Sequence, residues 1–257
     1  MTTIVITEVQ EIKMKRLTIF LLLLSYGLSA QIEEGTITYN RKTDWISIMS
    51  KLPYISQEEV DRSTLTWGKE ENKGTDLTLT FKDNKSVYTY SEEQTANEWG
   101  WRRNEILLIR DYAKKSIKDL RGEMGVTFLV EDELKRTKWK ILNEIKEIEG
   151  YLCMKAETTD PVKGQTIHAW FTDGITFSGG PEGFGGLPGM ILEIDINEGD
   201  AVITATKVNL EAPVEKLPIP KKMKGKKISR TELDNRIEKY IAESIEGNKN
   251  PFWRLRF

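Results

Sequence analysis

The chain has 257 residues, with 38 Lys and Arg against 40 Asp and Glu, and a formal net charge of −2 at pH 7. So even a balance argues against a partner held by phosphate neutralisation, and no nucleic acid is expected. Cys153 and His168 are the only residues of their kinds, so no internal disulfide can form, the usual zinc ligand sets cannot be assembled, and neither metal nor cofactor is expected.

Lys15 and Arg16 precede an apolar run from Leu17 to Leu24, a positive n-region and an h-region too short to span a bilayer. Residues 1–30 therefore read as an upstream extension followed by a secretory signal peptide, with Met14 as the true start. Cleavage after Ala30 leaves Gln31 where a lipid-anchored protein would carry cysteine. The expectation is an exported protein, periplasmic or extracellular, soluble rather than lipid-anchored. No later stretch reaches about eighteen uninterrupted apolar residues, so no transmembrane segment is expected in the mature chain. Residues 31–257 read as one domain.

Gly35 to Asn40 alternates apolar and polar residues, the mark of a half-buried strand. Asp44 to Leu52 has a mixed spacing that assigns no element, and Pro53 ends it. Ser56 and Glu59 have the spacing of a capping box at a short helix. Leu77 to Phe81 and Ser86 to Tyr90, joined by Asp83-Asn84, read as an antiparallel hairpin. Ser91 to Asn97 reads as an exposed loop, with Trp99 and Trp101 after it.

Further strands are expected at 106–112, 115–120, 126–130, 139–141, 151–158, 166–172, 190–196 and 201–208. Short β-branched and aromatic segments between frequent turns, without a long crossover helix, point to an antiparallel sheet. Pro213, Pro218 and Pro220 mark a linker, and five lysines between Lys221 and Lys227 continue it as a solvated segment rather than a lipid-docking patch. Ser229 and Glu232 open an amphipathic helix over 229–246, with Leu233, Ile237, Tyr240, Ile241 and Ile245 on one stripe. Phe252 to Phe257 alternates apolar and basic residues and reads as a last strand, with a tail recognised by a partner as the alternative. The fold class is mainly β: a single antiparallel, strongly curved sheet or half barrel, with the carboxy-terminal helix packed on it.

Gly179 to Met190 holds six glycines and two prolines in twelve residues, which neither a helix nor a regular strand tolerates. It must be a shaped loop, and Phe184 and Leu187 within it are expected to fold back onto a core. A phosphate cradle is disfavoured, since the Gly-Lys-Ser/Thr ending of a P-loop is missing and a strand follows instead of a helix.

The hexapeptide Gly186-Leu187-Pro188-Gly189-Met190-Ile191, with Ala169-Trp170-Phe171-Thr172 before it, Gly180-Pro181 nearby and Leu192-Glu193 after it, resembles the GLPGLI family of exported Bacteroidetes proteins. Methionine stands at the fifth position in place of leucine, a swap of similar volume. The resemblance implies export and a single domain over most of the mature chain. It implies no catalytic residue.

His168 alternates with apolar neighbours and reads as an exposed or hydrogen-bonded strand residue rather than a ligand contact or a base. Cys153 reads as a buried small hydrophobe. Glu193 and Asp195 share one strand face at about 7 Å; with Glu182 they are the candidates for acid–base chemistry, though they also fit the wet side of an amphipathic strand. The expected function is therefore a non-enzymatic cell-envelope accessory module that binds a peptide, an apolar ligand or an outer-membrane protein partner. Its candidate binding residues are Trp170, Pro181, Glu182, Phe184, Leu187, Pro188 and Gly189, and no catalytic residue is assigned. The alternatives are a carboxylate-dependent hydrolase and a purely structural envelope protein.

Overall fold

The computed structural model describes residues 34–67, 73–91 and 105–256. The expected leader and its cleavage junction, the loop residues after Ser91, and Trp99 and Trp101 lie outside them.

Twelve strands among the described residues form one sheet that does not close. The first six are β1 (Gly35–Thr43), β2 (Thr75–Lys82), β3 (Lys85–Tyr90), β4 (Ile106–Asp111), β5 (Ser116–Glu123) and β6 (Val126–Glu133). They run as an antiparallel meander. A second meander holds β7 (Lys140–Ile148), β8 (Tyr151–Thr159), β9 (Thr166–Thr172), β10 (Met190–Ile196) and β11 (Ala201–Asn209). Its last strand pairs with β1, which joins the two meanders into one sheet.

Two sequence expectations require correction. The sheet is mixed, because the end of the lysine-rich segment forms a short strand β12 (Lys226–Ile228) that pairs parallel to β6. Ile228 is buried there, and a Cβ on Gly225 would lie 2.8 Å from the Leu129 nitrogen, so glycine permits the close approach. The terminal aromatic-basic segment is not a strand: Pro251–Arg254 is a 3₁₀ turn whose first amide is capped by the Asn250 side chain.

Three α-helices are seen among the described residues: α1 (Trp45–Ser50), α2 (Gln57–Trp67) and α3 (Arg230–Glu246). The stretch that the spacing left unassigned is α1, capped by the Asp44 carboxylate accepting from the Ser47 amide. Ser229 caps α3 in the same way at the Glu232 amide. Leu233 and Ile237 of α3 pack with Ile117, Phe128, Val130 and Ile228, whereas Ile245 in the last turn stays exposed. Each fully buried aliphatic side chain contributes about 1.5–3 kcal/mol, which is what holds this helix to the sheet.

Alternation along the strands sorts the two faces. Ile37 and Tyr39 of β1 enter the main core with Leu77, Leu79 and Phe81 of β2, Tyr88 of β3, Phe171 of β9 and Ile194 of β10. The same period carries Arg41 to that face, so the core surface ends in a charge rather than in hydrocarbon. No helix among the described residues is long and apolar enough to cross a membrane.

Candidate functional site

The segment between β9 and β10 lies across the core surface. Ile175 and Leu187 are buried in it, and the Phe177 ring packs 4.5 Å from Phe81 and 5.1 Å from Tyr112. Phe184 meets Trp139 edge-on at 6.0 Å, and the Trp139 indole donates to the Gly185 carbonyl at 3.0 Å. The Ser178 hydroxyl closes the loop on itself by donating to the Leu187 carbonyl at 2.6 Å, and the buried Tyr39 hydroxyl donates to Ile191 at 2.7 Å.

Two glycines are required by this arrangement. Gly189 has φ +127°, and a Cβ there would stand 2.0 Å from the Thr172 carbonyl oxygen. Gly183 has φ +80°, and its Cβ would meet the Arg110 guanidinium at 2.2 Å.

Between the loop and the β4–β5 turn opens a cleft of about 940 Å³. Its lining includes the apolar side chains of Phe177, Leu187 and Leu134 and four glycines of the loop, Gly183, Gly185, Gly186 and Gly189. The charged residues around it are Lys115, Lys135, Arg136 and Asp173, an excess of two positive charges over the single carboxylate.

Beside the cleft, Pro181–Gly183 makes a 3₁₀ turn in which Glu182 has φ 55° and ψ 12°, a left-handed conformation uncommon for a residue with a Cβ. Its carboxylate is almost enclosed. Arg256 donates to it twice, through Nε and through Nη2 at 2.6 Å; Arg41 Nε lies 3.6 Å away and the Tyr88 hydroxyl donates at 3.3 Å. Burial works to raise the Glu182 pKa, but Arg256, Arg41 and Arg121 outweigh it and hold it at about 2. Tyr88 is pushed well above the ordinary phenol value by burial and by the Glu182 charge. The carboxy-terminal segment is thus tied into the sheet, since the Arg256 amide also donates to Glu123 and its carbonyl accepts from Lys163.

A second buried pair lies under the same loop. Arg110 donates from both terminal nitrogens to Asp119, with Nη2 at 3.1 Å, while Arg121 Nε approaches the same carboxylate at 3.4 Å.

The seven residues singled out from the sequence fall into five places. Leu187, Pro188 and Gly189 line the cleft. Pro181 is buried, Glu182 sits in the ionic cluster and Phe184 packs on Trp139. Trp170 stands apart, beside Glu193 on the strand face opposite Phe171 and Ala169, with Lys146 Nζ 4.4 Å and Lys155 Nζ 5.5 Å from its ring.

The three candidate carboxylates do not share a cleft. Glu193 accepts from Lys146 at 2.5 Å and from Thr204 at 2.9 Å, Asp195 accepts from the Gly199 amide at 2.6 Å, and Glu182 belongs to the cluster just described. His168 contacts Glu157 at 3.3 Å. Cys153 is fully buried, which pushes its thiol up to about 11. Among the described residues no group of three or more His, Cys, Asp or Glu side chains is placed to hold a metal.

Sequence reasoning missed the cationic rim and both arginines on Glu182. Lys115, Lys135 and Arg136 come from a turn and from the strand-free stretch after β6, where no period operates. Arg41 was within reach, because Ile37, Tyr39 and Arg41 share one parity.

Fold and site together define a mainly β domain in which one large open sheet carries a loop-walled cleft. The chain belongs to the family described as N-glycanase peptide, N-terminal domain, whose model matches residues 62–233. Among solved structures it is similar to PNGF-II in its P21 crystal form, with 16% identity and a TM-score of 0.53 over 79% of this chain and 32% of that one. The C2 form of PNGF-II matches with 16% identity and a TM-score of 0.50 over 84% of this chain and 33% of that one. At that identity the likeness is one of fold, and the chain spans about a third of the length of those structures. Comparison with curated proteins gives no match.

Proposed function

We propose that the chain is an exported, non-enzymatic binding module of the cell envelope, and that the cleft beside the glycine-rich loop takes an acidic peptide segment of a partner protein. The observation that carries this is the cleft itself, whose lining combines the apolar Phe177, Leu187 and Leu134 with the exposed cations Lys115, Lys135 and Arg136. Such a lining accepts side chains by area burial, and its cations attract and orient carboxylates. The exposed glycine backbone adds amides that a peptide can address.

The family description names an N-glycanase, and we infer that this module works beside glycan-processing chemistry rather than performing it. In keeping with this, Glu182, Glu193 and Asp195 occupy separate environments. The Gly186–Ile191 hexapeptide supports grouping the chain with GLPGLI-type exported proteins. Strong curvature of the sheet into a half barrel is part of the same proposal, supported by one loop packing on Arg110 of β4 at Gly183 and on Ile191 of β10 at Gly180, strands five places apart in the sheet order.

The test is fluorescence anisotropy with a labelled peptide rich in Asp and Leu, beside a Lys-rich control peptide. The acidic peptide should bind with an affinity that falls as salt rises, and K135E/R136E should weaken it by about tenfold or more. Equal binding of both peptides, or an unchanged affinity in the double variant, rejects the reading.

A further inference from the structure

One edge of the sheet is left open. β7 stands last in the strand order and, among the described residues, pairs only with β8, whereas the other end is finished by the short strand β12 beside β6. An edge strand presents unpaired amides and carbonyls to any second strand, and proteins guard it with charges, prolines or bulges. A bulge between Ile141 and Ile145 distorts the first half of β7, and regular pairing then runs from Ile145 to Ile148.

One face of this edge is apolar where guarding would require charge. Ile141 stands opposite Ala156 and Ile145 opposite Met154, which in turn stand opposite Ala169 and Phe171 of β9, so both isoleucines lie on the core face of the sheet. Leu152, two residues before Met154, shares that face. Yet Ile141, Ile145 and Leu152 are 57%, 66% and 64% exposed. They carry the core surface out to the last strand with solvent over it, a grouping that marks an interaction site.

On the opposite face Glu144 accepts from Lys155, and Glu193 from Lys146. These charges decide which strand fits. A two-fold axis normal to the sheet sets β7 antiparallel to its own copy and keeps each face on its own side, so one residue must lie opposite itself. Glu144, Lys146 or Glu147 on the axis would each oppose its own charge, and Ile148 there would set Glu147 against Glu149 of the copy. With Ile145 on the axis, two isoleucines meet on the core face, and Glu144 and Lys146 of each chain meet Lys146 and Glu144 of the other. We propose that β7 pairs with β7 of a second copy of this chain in that register, which joins two sheets into one and brings their apolar edges together. The inference does not depend on the peptide reading of the cleft.

Sedimentation equilibrium of the full chain should show a reversible monomer–dimer equilibrium that is mostly dimer by about 100 µM. Ile145→Lys changes an exposed side chain, so circular dichroism should find the fold intact, while two ammonium groups at the axis should weaken dimerisation about tenfold or more. E144K and K146E each set like charges opposite one another twice across the seam and should each weaken it about as much. An equimolar mixture of E144K and K146E pairs opposite charges at both places again, so it should recover the dimer that neither variant forms alone. A chain that stays monomeric at that concentration overturns the inference and leaves the edge to a strand of a different protein. It is equally overturned by a dimer that Ile145→Lys leaves as tight as the parent's, or by a mixture no more dimeric than the single variants.

Discussion

Replacing Arg256 with methionine tests whether the tail is held by charge or only by packing. Glu182 falls from an ordinary 4.5 to about 2 in the folded chain, with Arg256 the largest of the effects that lower it. At 1.36 kcal/mol per tenfold that difference corresponds to about 3 kcal/mol, and breaking a buried pair from one side typically costs about 3–5 kcal/mol. Because the folded value is depressed, the contribution is fully present above pH 4.5 and is lost as pH falls from there toward 2. Arg256→Met should therefore lower the free energy of urea unfolding by about 3 kcal/mol at pH 7, and the gap to the parent should close across that acidic window. Glu182→Gln with Arg256→Met should lose less than the two single changes summed, since neither partner is left as a buried lone charge. A single variant within about 0.5 kcal/mol of the parent at pH 7, or a gap that persists at the acidic end, would refute the reasoning.

Two further outcomes follow from burial and from backbone geometry. With its thiol buried and pushed up to about 11, Cys153 should resist iodoacetamide at pH 8 in the native protein and react once urea unfolds it; rapid native alkylation would contradict the packing of β8. Gly189→Ala combines a φ of +127° with a Cβ 2.0 Å from the Thr172 carbonyl, so thermal unfolding should show a loss above about 2 kcal/mol, and an unchanged midpoint would mean that the loop has another conformation.

Local pattern revealed the strands whose identity depends on alternation alone. Thr166–Thr172 and Met190–Ile196 stand where period two puts them, and the helix capped by Ser229 differs by one residue from its expected start. β12 was not legible in this way. Lys226-Lys227-Ile228 carries a single apolar residue, and it becomes a strand only because β6, about a hundred residues earlier, offers a parallel edge. The terminal segment misled for the opposite reason. From Trp253 to Phe257 apolar and basic residues alternate as in a strand, yet so short a pattern does not distinguish a strand from a turn, and the cap at Asn250 and the proline at 251 decide for the turn. Of the candidate site, the loop was visible through its glycines and prolines, whereas the cations around the cleft and the arginines on Glu182 are brought together only by tertiary structure.

The residue at 182 poses a conflict that measurement can resolve. Its backbone is left-handed, a conformation that costs a side-chain-bearing residue about 1–2 kcal/mol and glycine almost nothing. Glycine gains part of that back only after losing about 0.5–1 kcal/mol in unfolded-chain entropy, so the backbone favours it by well under the roughly 3 kcal/mol associated with the Glu182 charge. Glu182→Gly should then be destabilised by about 2 kcal/mol at pH 7, and at the acidic end, where the carboxylate is neutralised, it should match or exceed the parent. Glu182→Gln keeps the strained backbone without the charge, so it should stay below Glu182→Gly at both ends. If Glu182→Gly were the more stable protein at neutral pH, the ion cluster would contribute less than the strain it accompanies, and the carboxylate would have to be retained for contact with a ligand rather than for holding the tail.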